Sequence, residues 1–402
     1  MNLLEQAKKH LNKLCVEIND RSVGSEGNQL STKYSDEVFR NFGLNTEMPE
    51  FDVMDWQDDG TELICGDDKF EIFVGPYSKG CDVKGKLFCV STLEELEKID
   101  ATGGVLFVYG EIAQEQLMPK NFVFYNPEEH KHLIYLLEHS NAEAIISATG
   151  RNASLAGGVY PFPLIEDGDF DIPNTYMTDE EGKKLLKYKG QEIHLISRSL
   201  RIPSKACNSI GKIGIDDSQK IVITAHIDAK KGSPGAIDNA TGVVIMFLLA
   251  ELLNDYNGKY QVELITFNGE DYYAVPGQMN YIASKKGNFE DILLNINIDG
   301  AGFNEGNSAF SLFNLPEDQN QIVQKIIQES PDIEEGIQWV QGDHSIFVQF
   351  GRPAIAVSSK WFIENVDAQT ITHTEKDNIS IVNPKKLVDI ALAIEKFVRE
   401  LS

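Results

Sequence analysis

The chain has 402 residues, 42% hydrophobic and 24% charged, enough to bury a sizeable core and, at about 100–200 residues per domain, to form two domains. A formal net charge of −26 repels phosphate backbones and anionic bilayer surfaces, which excludes nucleic acid and acidic membranes as partners. No apolar run approaches the about 20 residues that span a bilayer, and five scattered cysteines without a C-x-x-C pair give neither a disulfide framework nor a zinc ribbon, so the chain reads as a cytoplasmic protein.

The opening MNLLEQAKKHLNKL reads as an amphipathic helix, with leucines on one face and charges throughout, and not as a signal peptide. A second helical segment adjoins RSVGSEGN. The VGSEG around Ser25 lacks the G-x-S-x-G pattern and a preceding strand, so it reads as a turn and not as a nucleophile elbow. From about residue 56 to 203, the short β-type runs KFEIFVG, GKLFCV, GGVLFVYG and EAIISATG are separated by Gly, Asp and Pro, with one helix around His130 to Ser140. This stretch is expected to be a smaller, β-rich α+β domain inserted into the chain. His130, His132 and His139 lie on its helix at poor ligand spacing and read as surface residues. The acidic run Asp179 to Glu181 reads as a helix start.

After about residue 208, apolar runs alternate with amphipathic segments, the pattern of an α/β fold: a mixed, mainly parallel sheet flanked by helices. Strands are expected at 220–226, 261–268, 292–299 and 353–358. Helices are expected at 239–253, behind an Asn/Thr cap, and at 384–401, where Leu387, Ile390, Ala391, Ile394, Phe397 and Val398 form one stripe. With the first residues packed on it, this domain comprises 1–55 and 204–402, and 56–203 interrupt it.

Charged residues stand where these apolar runs end. His226 and Asp228 close the first run as His-x-Asp, and a Gly/Pro/Ser loop then delivers Asp238 to the start of a helix. Glu270 and Asp271 follow the second run in FNGED, Asp299 ends the third in NINIDG, and His373 lies in THTEKD. The loops after the carboxyl ends of strands line the ligand crevice of an open α/β sheet, so distant positions converge on one edge. Taken singly, each such carboxylate is more often a helix cap or a solvated charge. Taken together in this order, two imidazoles and four carboxylates match a pair of metal ions bridged by Asp238. Asp228 shares a strand face with His226 and can accept the spare imidazole N–H. Glu270, beside a ligand but free of the metal, has the position a general base needs.

At these residues the chain resembles the co-catalytic zinc aminopeptidases, the family of the bacterial leucyl aminopeptidases and the glutamate carboxypeptidase II-like proteins. The resemblance covers about Gly211 to Val398 and the RSVGSEGN segment. It implies one Zn²⁺ held by His226, Asp238 and Asp299 and a second held by Asp238, Asp271 and His373, with Co²⁺ or Mn²⁺ as substitutes. It also implies Asp228 as the orienting acid, Glu270 as the catalytic base, a cis Asp238–Asn239 bond, and a peptide substrate whose free amine is held by Glu270 and Asp299. A protease-associated domain is the implied identity of residues 56–203, on the strength of DFDIPNTYMTDEEGKKLL. The chain departs from the family at Asp271, where Glu is more common, and at Gln278, where Ser is frequent; Asp343 and His344 in GDHSIF match a segment that lines the family's site. The alternatives are a carboxypeptidase or other amide hydrolase on the same metal pair, and a catalytically silent binding protein. The latter predicts eroded ligands, and every ligand position is intact. Nothing in the sequence speaks to oligomeric state.

Overall fold

In the computed structural model, which describes residues 2–18, 20–151, 159–215, 219–366 and 369–401, the apolar runs after residue 208 become the centre of an eight-stranded sheet. The chain separates into two compact units, Met1–Val53 with Lys205–Val366 and Ile371–Ser402, and Met54–Ser204 with Asp367–Thr370.

The first unit contains β1 (Asn45–Glu47), β2 (Ser209–Ile213), β3 (Lys220–His226), β4 (Gln261–Phe267), β5 (Ile292–Ile298), β6 (Ser308–Phe313), β7 (Ile333–Glu335) and β8 (Ala354–Ser359). Their order across the sheet is β1-β2-β4-β3-β5-β8-β6-β7. The four inner strands β4, β3, β5 and β8 are parallel, while β2 and β6 run antiparallel to their inner neighbours. Helices cover both faces of a parallel sheet, so its strands bury both sides and read as continuous apolar runs. Every residue of β4 is buried, as is every residue of β3 after Lys220.

The helices of this unit include α1 (Leu3–Asn12), α2 (Glu26–Asn41), α3 (Thr241–Leu252), α4 (Pro276–Lys285), α5 (Glu317–Glu329), α6 (His344–Gln349) and α7 (Pro384–Leu401). In α3 every residue from Thr241 to Ala250 is buried, because the helix lies against β3 and beneath α1, α2 and α7. A helix enclosed in this way has no polar face to keep, hence TGVVIMFLLAEL. The amphipathic α7 turns the expected stripe, Leu387 through Val398, onto this core. Ser25 caps α2 by accepting the Asn28 N–H at 3.0 Å, the turn role its sequence implied.

Register places the functional edge. His226 pairs with Phe267 across β3 and β4, and Thr224 pairs with Asn297 across β3 and β5, so the three carboxyl ends are level. The loops that leave them emerge side by side.

The second unit has its own eight-stranded mixed sheet. Strands Cys81–Val90, Gly104–Val108, Ala144–Thr149 and Asn174–Thr178 form a parallel centre, and Glu192–Cys207 pairs antiparallel with the first of them. The centre is thus closer to α/β than the α+β expectation, because helices such as Leu93–Lys98 and Glu128–Glu138 lie in the connections between parallel neighbours. Thr178 caps the helix Asp179–Leu185 at the acidic run. His130 is buried, in contrast to the surface position expected for it. Its Nδ1 accepts the Met118 N–H at 3.0 Å and its Nε2 lies 3.1 Å from Glu115. His132 and His139 remain exposed.

His10 on α1 gives the first unit a pH-dependent contact. It sits edge-on to Phe247 with its Nδ1 2.7 Å from the Tyr34 hydroxyl, and burial, with Lys9 adding to it, lowers its pKa to about 4. Below pH about 6.5 the unfolded chain takes up a proton here that the folded chain refuses until about pH 4, so this contribution to stability falls as pH falls through that window. Urea unfolding of the wild type and of His10→Gln is expected to show the wild type losing about 2 kcal/mol relative to the variant between pH 7 and 4.5.

Candidate metal centre

His226 is the last residue of β3, and its side chain is 1% exposed. Its Nε2 lies 3.1 Å from Asp238 Oδ1 and 3.5 Å from Asp299 Oδ1. The other oxygen of Asp238 lies 3.1 Å from His373 Nε2, which in turn stands 3.0 Å from Asp271 Oδ1. Five side chains from five separate segments of the chain therefore form two triads, His226–Asp238–Asp299 and Asp238–Asp271–His373, that share Asp238. Bonds of about 2 Å around a tetrahedral ion set neighbouring donors about 3.3 Å apart, and the four measured separations bracket that value.

The charges call for a cation. His226 Nε2 and Asp271 Oδ2 are buried without a hydrogen-bond partner among the described residues. Burial opposes the charged form of the His226 ring, yet Asp299, Asp228 and Asp238 around it outweigh that and raise its pKa well above the ordinary value. His373 behaves alike, with Asp271 and Asp238 overcoming its burial. At Glu270, removal from water raises the pKa well above the usual carboxylate range. His226 opposes the shift, and Asp271, Asp299 and Asp343 add to it. A set of imidazoles and carboxylates crowded in this way is a nitrogen and oxygen donor set suited to divalent ions such as Zn²⁺.

Two of the loops that carry these side chains are tied down. Asp228, fully buried, accepts the backbone N–H groups of Gly269 at 2.7 Å, Glu270 at 3.3 Å and Asp271 at 3.0 Å. The sequence assigned its carboxylate to the spare nitrogen of His226. In the structure that nitrogen is 3.3 Å from the Asp228 backbone carbonyl and 3.7 Å from the carboxylate. The side chain instead organises the loop that carries Glu270 and Asp271.

The Asp238 loop is held from two sides. Arg21, in the RSVGSEGN segment, is fully buried and donates to the carbonyls of Leu14, Ile227, Pro234 and Gly235 at 2.8–2.9 Å. Gly235 is left-handed, with φ 56°, and a Cβ on it would stand 2.5 Å from that of Ala229, so no other residue fits this turn. From the other side Asp377 accepts the N–H groups of Ile237 at 2.7 Å and Asp238 at 3.0 Å. Burial and the neighbouring Asp238 push the Asp377 carboxyl up to about 7, with the two N–H groups and Arg21 pulling the other way. The Asp238–Asn239 peptide is cis, and Asn239 accepts the Gly242 N–H at 3.0 Å as the expected cap. The sequence passed over Arg21 and Asp377 as site residues, although both lie inside segments it had singled out.

Asp343 is buried beside the site, with one oxygen accepting from Gln278 Nε2 at 2.8 Å. Burial drives its pKa up to about 7, with His226 and Gln278 drawing it down and Asp299 and Asp228 adding to the rise. A Cβ on Gly342 would lie 3.2 Å from Asp299 Oδ2 and 3.1 Å from the Trp339 ring, so both groups close around this glycine. His344 is buried between Trp339 and Phe313, and its Nε2 is 2.9 Å from the Trp339 carbonyl. The histidines of the second unit enter no metal triad among the described residues.

Residues 208–398 match peptidase family M28. Over 290 residues, 68% of this chain, the sequence is 24% identical to a probable lipoprotein aminopeptidase, LpqL, of Mycobacterium tuberculosis, and the match spans 54% of that relative's length. The fold is similar to that of an aminopeptidase from Aneurinibacillus sp. strain AM-1, with a TM-score of 0.75 and 18% identity over 99% of this chain and 93% of that one. It is equally similar to BSAP, a zinc aminopeptidase of Bacillus subtilis, with a TM-score of 0.75 and 17% identity over 99% and 94% of the two chains. Mixed sheets flanked by helices are thus the architecture this chain shares with these structures.

Asp377 touches the bridge only through backbone N–H groups, so its effect on ion binding is separable from ligation. Asp377→Asn turns an amide N–H₂ toward one of those donors. Divalent-ion affinity, read by chelator competition, is expected to drop about 10–100-fold while far-UV circular dichroism stays unchanged.

Proposed function

We propose, from the match of residues 208–398 to peptidase family M28, that the protein is a zinc-dependent aminopeptidase that removes the N-terminal residue of peptides, using two Zn²⁺ ions and Glu270 as general base. The observation that carries this reading is the pair of triads sharing Asp238, with Glu270 next to the ligand Asp271. In the proposal His226, Asp238 and Asp299 hold one ion and Asp238, Asp271 and His373 the other. Bound there, a pair of divalent ions would polarise the scissile carbonyl and make a water nucleophilic near neutral pH.

The protein's own groups do the rest. Glu270, raised in pKa by its removal from water and its acidic neighbours, takes the proton of the attacking water and passes it to the departing amine. Asp228 fixes the backbone on which Glu270 stands, so the base is positioned before substrate arrives. Glu270 and Asp299 receive the substrate's ammonium group, and the chain's charge of −26 favours a cationic N-terminus over a C-terminal carboxylate.

A carboxypeptidase on the same ion pair needs a guanidinium or ammonium to hold that carboxylate. Arg21, the buried arginine of this region, is already bonded to four carbonyls. A silent binding protein is opposed by the presence of every ligand together with Glu270. A cytoplasmic location is supported by five free cysteines. The unit Met54–Ser204 we read as a protease-associated-like insert, supported by its place in the chain between the segments of the first unit.

The test is a panel of dipeptides with free and acetylated N-termini, assayed with zinc-loaded and chelator-stripped protein. Cleavage of the free-amine set alone, lost on stripping, is expected; cleavage of the acetylated set would replace the aminopeptidase with another amide hydrolase. Glu270→Gln is expected to retain its ions and lose turnover by about 10²–10⁴, and a variant near wild-type rate would remove Glu270 from the base role.

A further inference from the structure

The side chains of β5 alternate in a way that burial on both faces does not require. Leu294, Ile296 and Ile298 join the main core, while Asn295 and Asn297 occupy the opposite face and are buried there at 0% and 1% exposure. We propose that this second face carries a file of internal water molecules, a route behind the sheet edge that supplies the water a hydrolase consumes. The supply role rests on the hydrolase reading above; the file itself does not.

Register joins the polar positions into one seam. Asn295 lies beside Val222 and Asn297 beside Thr224, and Val222 in turn pairs with Glu263 of β4. The Asn295 Nδ2–H group donates to the Thr224 hydroxyl and to the Val222 carbonyl, each at 3.1 Å, and the Thr224 hydroxyl donates to Asn297 Oδ1 at 2.8 Å. Side chains two apart on a strand share a face, so Thr224 leads to His226 and Asn297 to Asp299. In the other direction Lys220 Nζ lies 3.3 Å from Glu263 Oε1, and the Lys220 side chain is 20% exposed. The seam thus follows the seven residues of β3 from solvent to the edge where His226 stands, about 20 Å.

Those bonds fix both amides and leave Asn295 Oδ1 and Asn297 Nδ2 buried without a hydrogen-bond partner among the described residues. Ala354 and Ala356 are the β8 register partners of the two asparagines, so only methyl groups flank them on that strand. Trp339 packs on these alanines, and its Nε1 is buried and unpartnered in the same sense. So are Gln278 Oε1 and Asp343 Oδ2, on two side chains joined through their other atoms at 2.8 Å. Tyr281, one turn beyond Gln278 on α4, sits edge-on to Phe267, the register partner of His226, so α4 covers this face. Buried polar atoms are rarely left unpaired, and internal water is a common partner. The chemistry selects water over an ion. Asn297 and Trp339 offer N–H donors while Asn295, Gln278 and Asp343 offer oxygen acceptors, and a molecule that both donates and accepts satisfies the two kinds together.

Ordered water is located in a crystal structure of the wild-type full chain, and long-lived internal water is counted in solution by oxygen-17 relaxation dispersion. Water bonded to Asn295 Oδ1, Asn297 Nδ2 and Trp339 Nε1 is expected; a dry face, with these atoms paired to one another, overturns the file. Asn295→Leu, and Thr224→Val as a change that removes a hydroxyl alone, are each expected to lose long-lived water and to lower kcat for dipeptide cleavage several-fold, with KM and bound zinc unchanged. Should Asn295→Leu not fold, Thr224→Val and the wild-type water count still decide. A variant that loses water at wild-type kcat overturns the supply role, and one that loses zinc as well places the defect at the ion ligands and overturns it too. Wild type that cleaves no dipeptide removes the hydrolase reading and the supply role with it, and the water count then still decides the file.

Discussion

Mutual repulsion among buried carboxylates is the constraint that the first unit is built to withstand. Asp238, Glu270, Asp271 and Asp299 converge on one sheet edge, with Asp228 and Asp343 directly behind them. Two unit charges 4 Å apart repel by about 4 kcal/mol at an intermediate protein dielectric, so the cluster carries an energy comparable with the stability of a whole domain. Loops left to themselves would splay. They are prevented from doing so by Asp228 on the 269–271 turn, Asp377 and Arg21 on the 234–238 turn, and a buried amide network in which Asn28, Asn268 and Asn208 join α2 to the end of β4 and to Gly277.

The core supplies the stiffness those ties require. The α3 helix is enclosed on all sides, and Phe247 within it packs against His10, Tyr34 and Phe39. That assembly fixes α1 and α2 on the catalytic sheet and so holds Arg21, which lies between them, near the Asp238 turn. Less common backbone also occurs at the same edge. Gly235, Val275 and His373 all have positive φ, and Val275 is β-branched, for which φ 40° is unfavourable. Such conformations persist only where the surroundings over-determine them.

Much of this was legible in the sequence. The inner strands β3, β4, β5 and β8 and the helices α3 and α7 lie within a residue or two of where the apolar patterns put them, because burial on both faces leaves unbroken hydrophobic runs. The two triads were legible as charged residues stranded at the ends of those runs. What escaped had no such contrast. Strand Glu50–Cys65 is mostly exposed or half-exposed and rich in Asp, so neither an apolar run nor a clean alternation marks it. Arg21 and Asp377 were illegible for another reason: an arginine or aspartate between elements is normally a solvated charge, and only tertiary structure turns its hydrogen-bonding capacity inward. The buried His130 was misread in the same way, since a ring that satisfies both nitrogens locally looks in sequence like one facing water.

The partners of the acids then divide the cluster by role. Asp228 is satisfied by three backbone N–H groups and Asp377 by two, and these two acids act as scaffold; Asp343 has the Gln278 amide on one oxygen and, among the described residues, no donor on the other. Asp238, Asp271 and Asp299 face imidazole nitrogens across the gap, and one Asp271 oxygen has no donor at all among the described residues. A buried carboxylate without donors is among the most unfavourable groups a fold can hold, and it persists only where another source of positive charge is available. With Glu270 they place four carboxylates around two imidazoles at one sheet edge, an excess of acid that suits the proposed divalent ions. The distinction between an acid that holds backbone and one that faces an imidazole is therefore carried by where the backbone N–H groups point, which otherwise similar Asp codons do not encode.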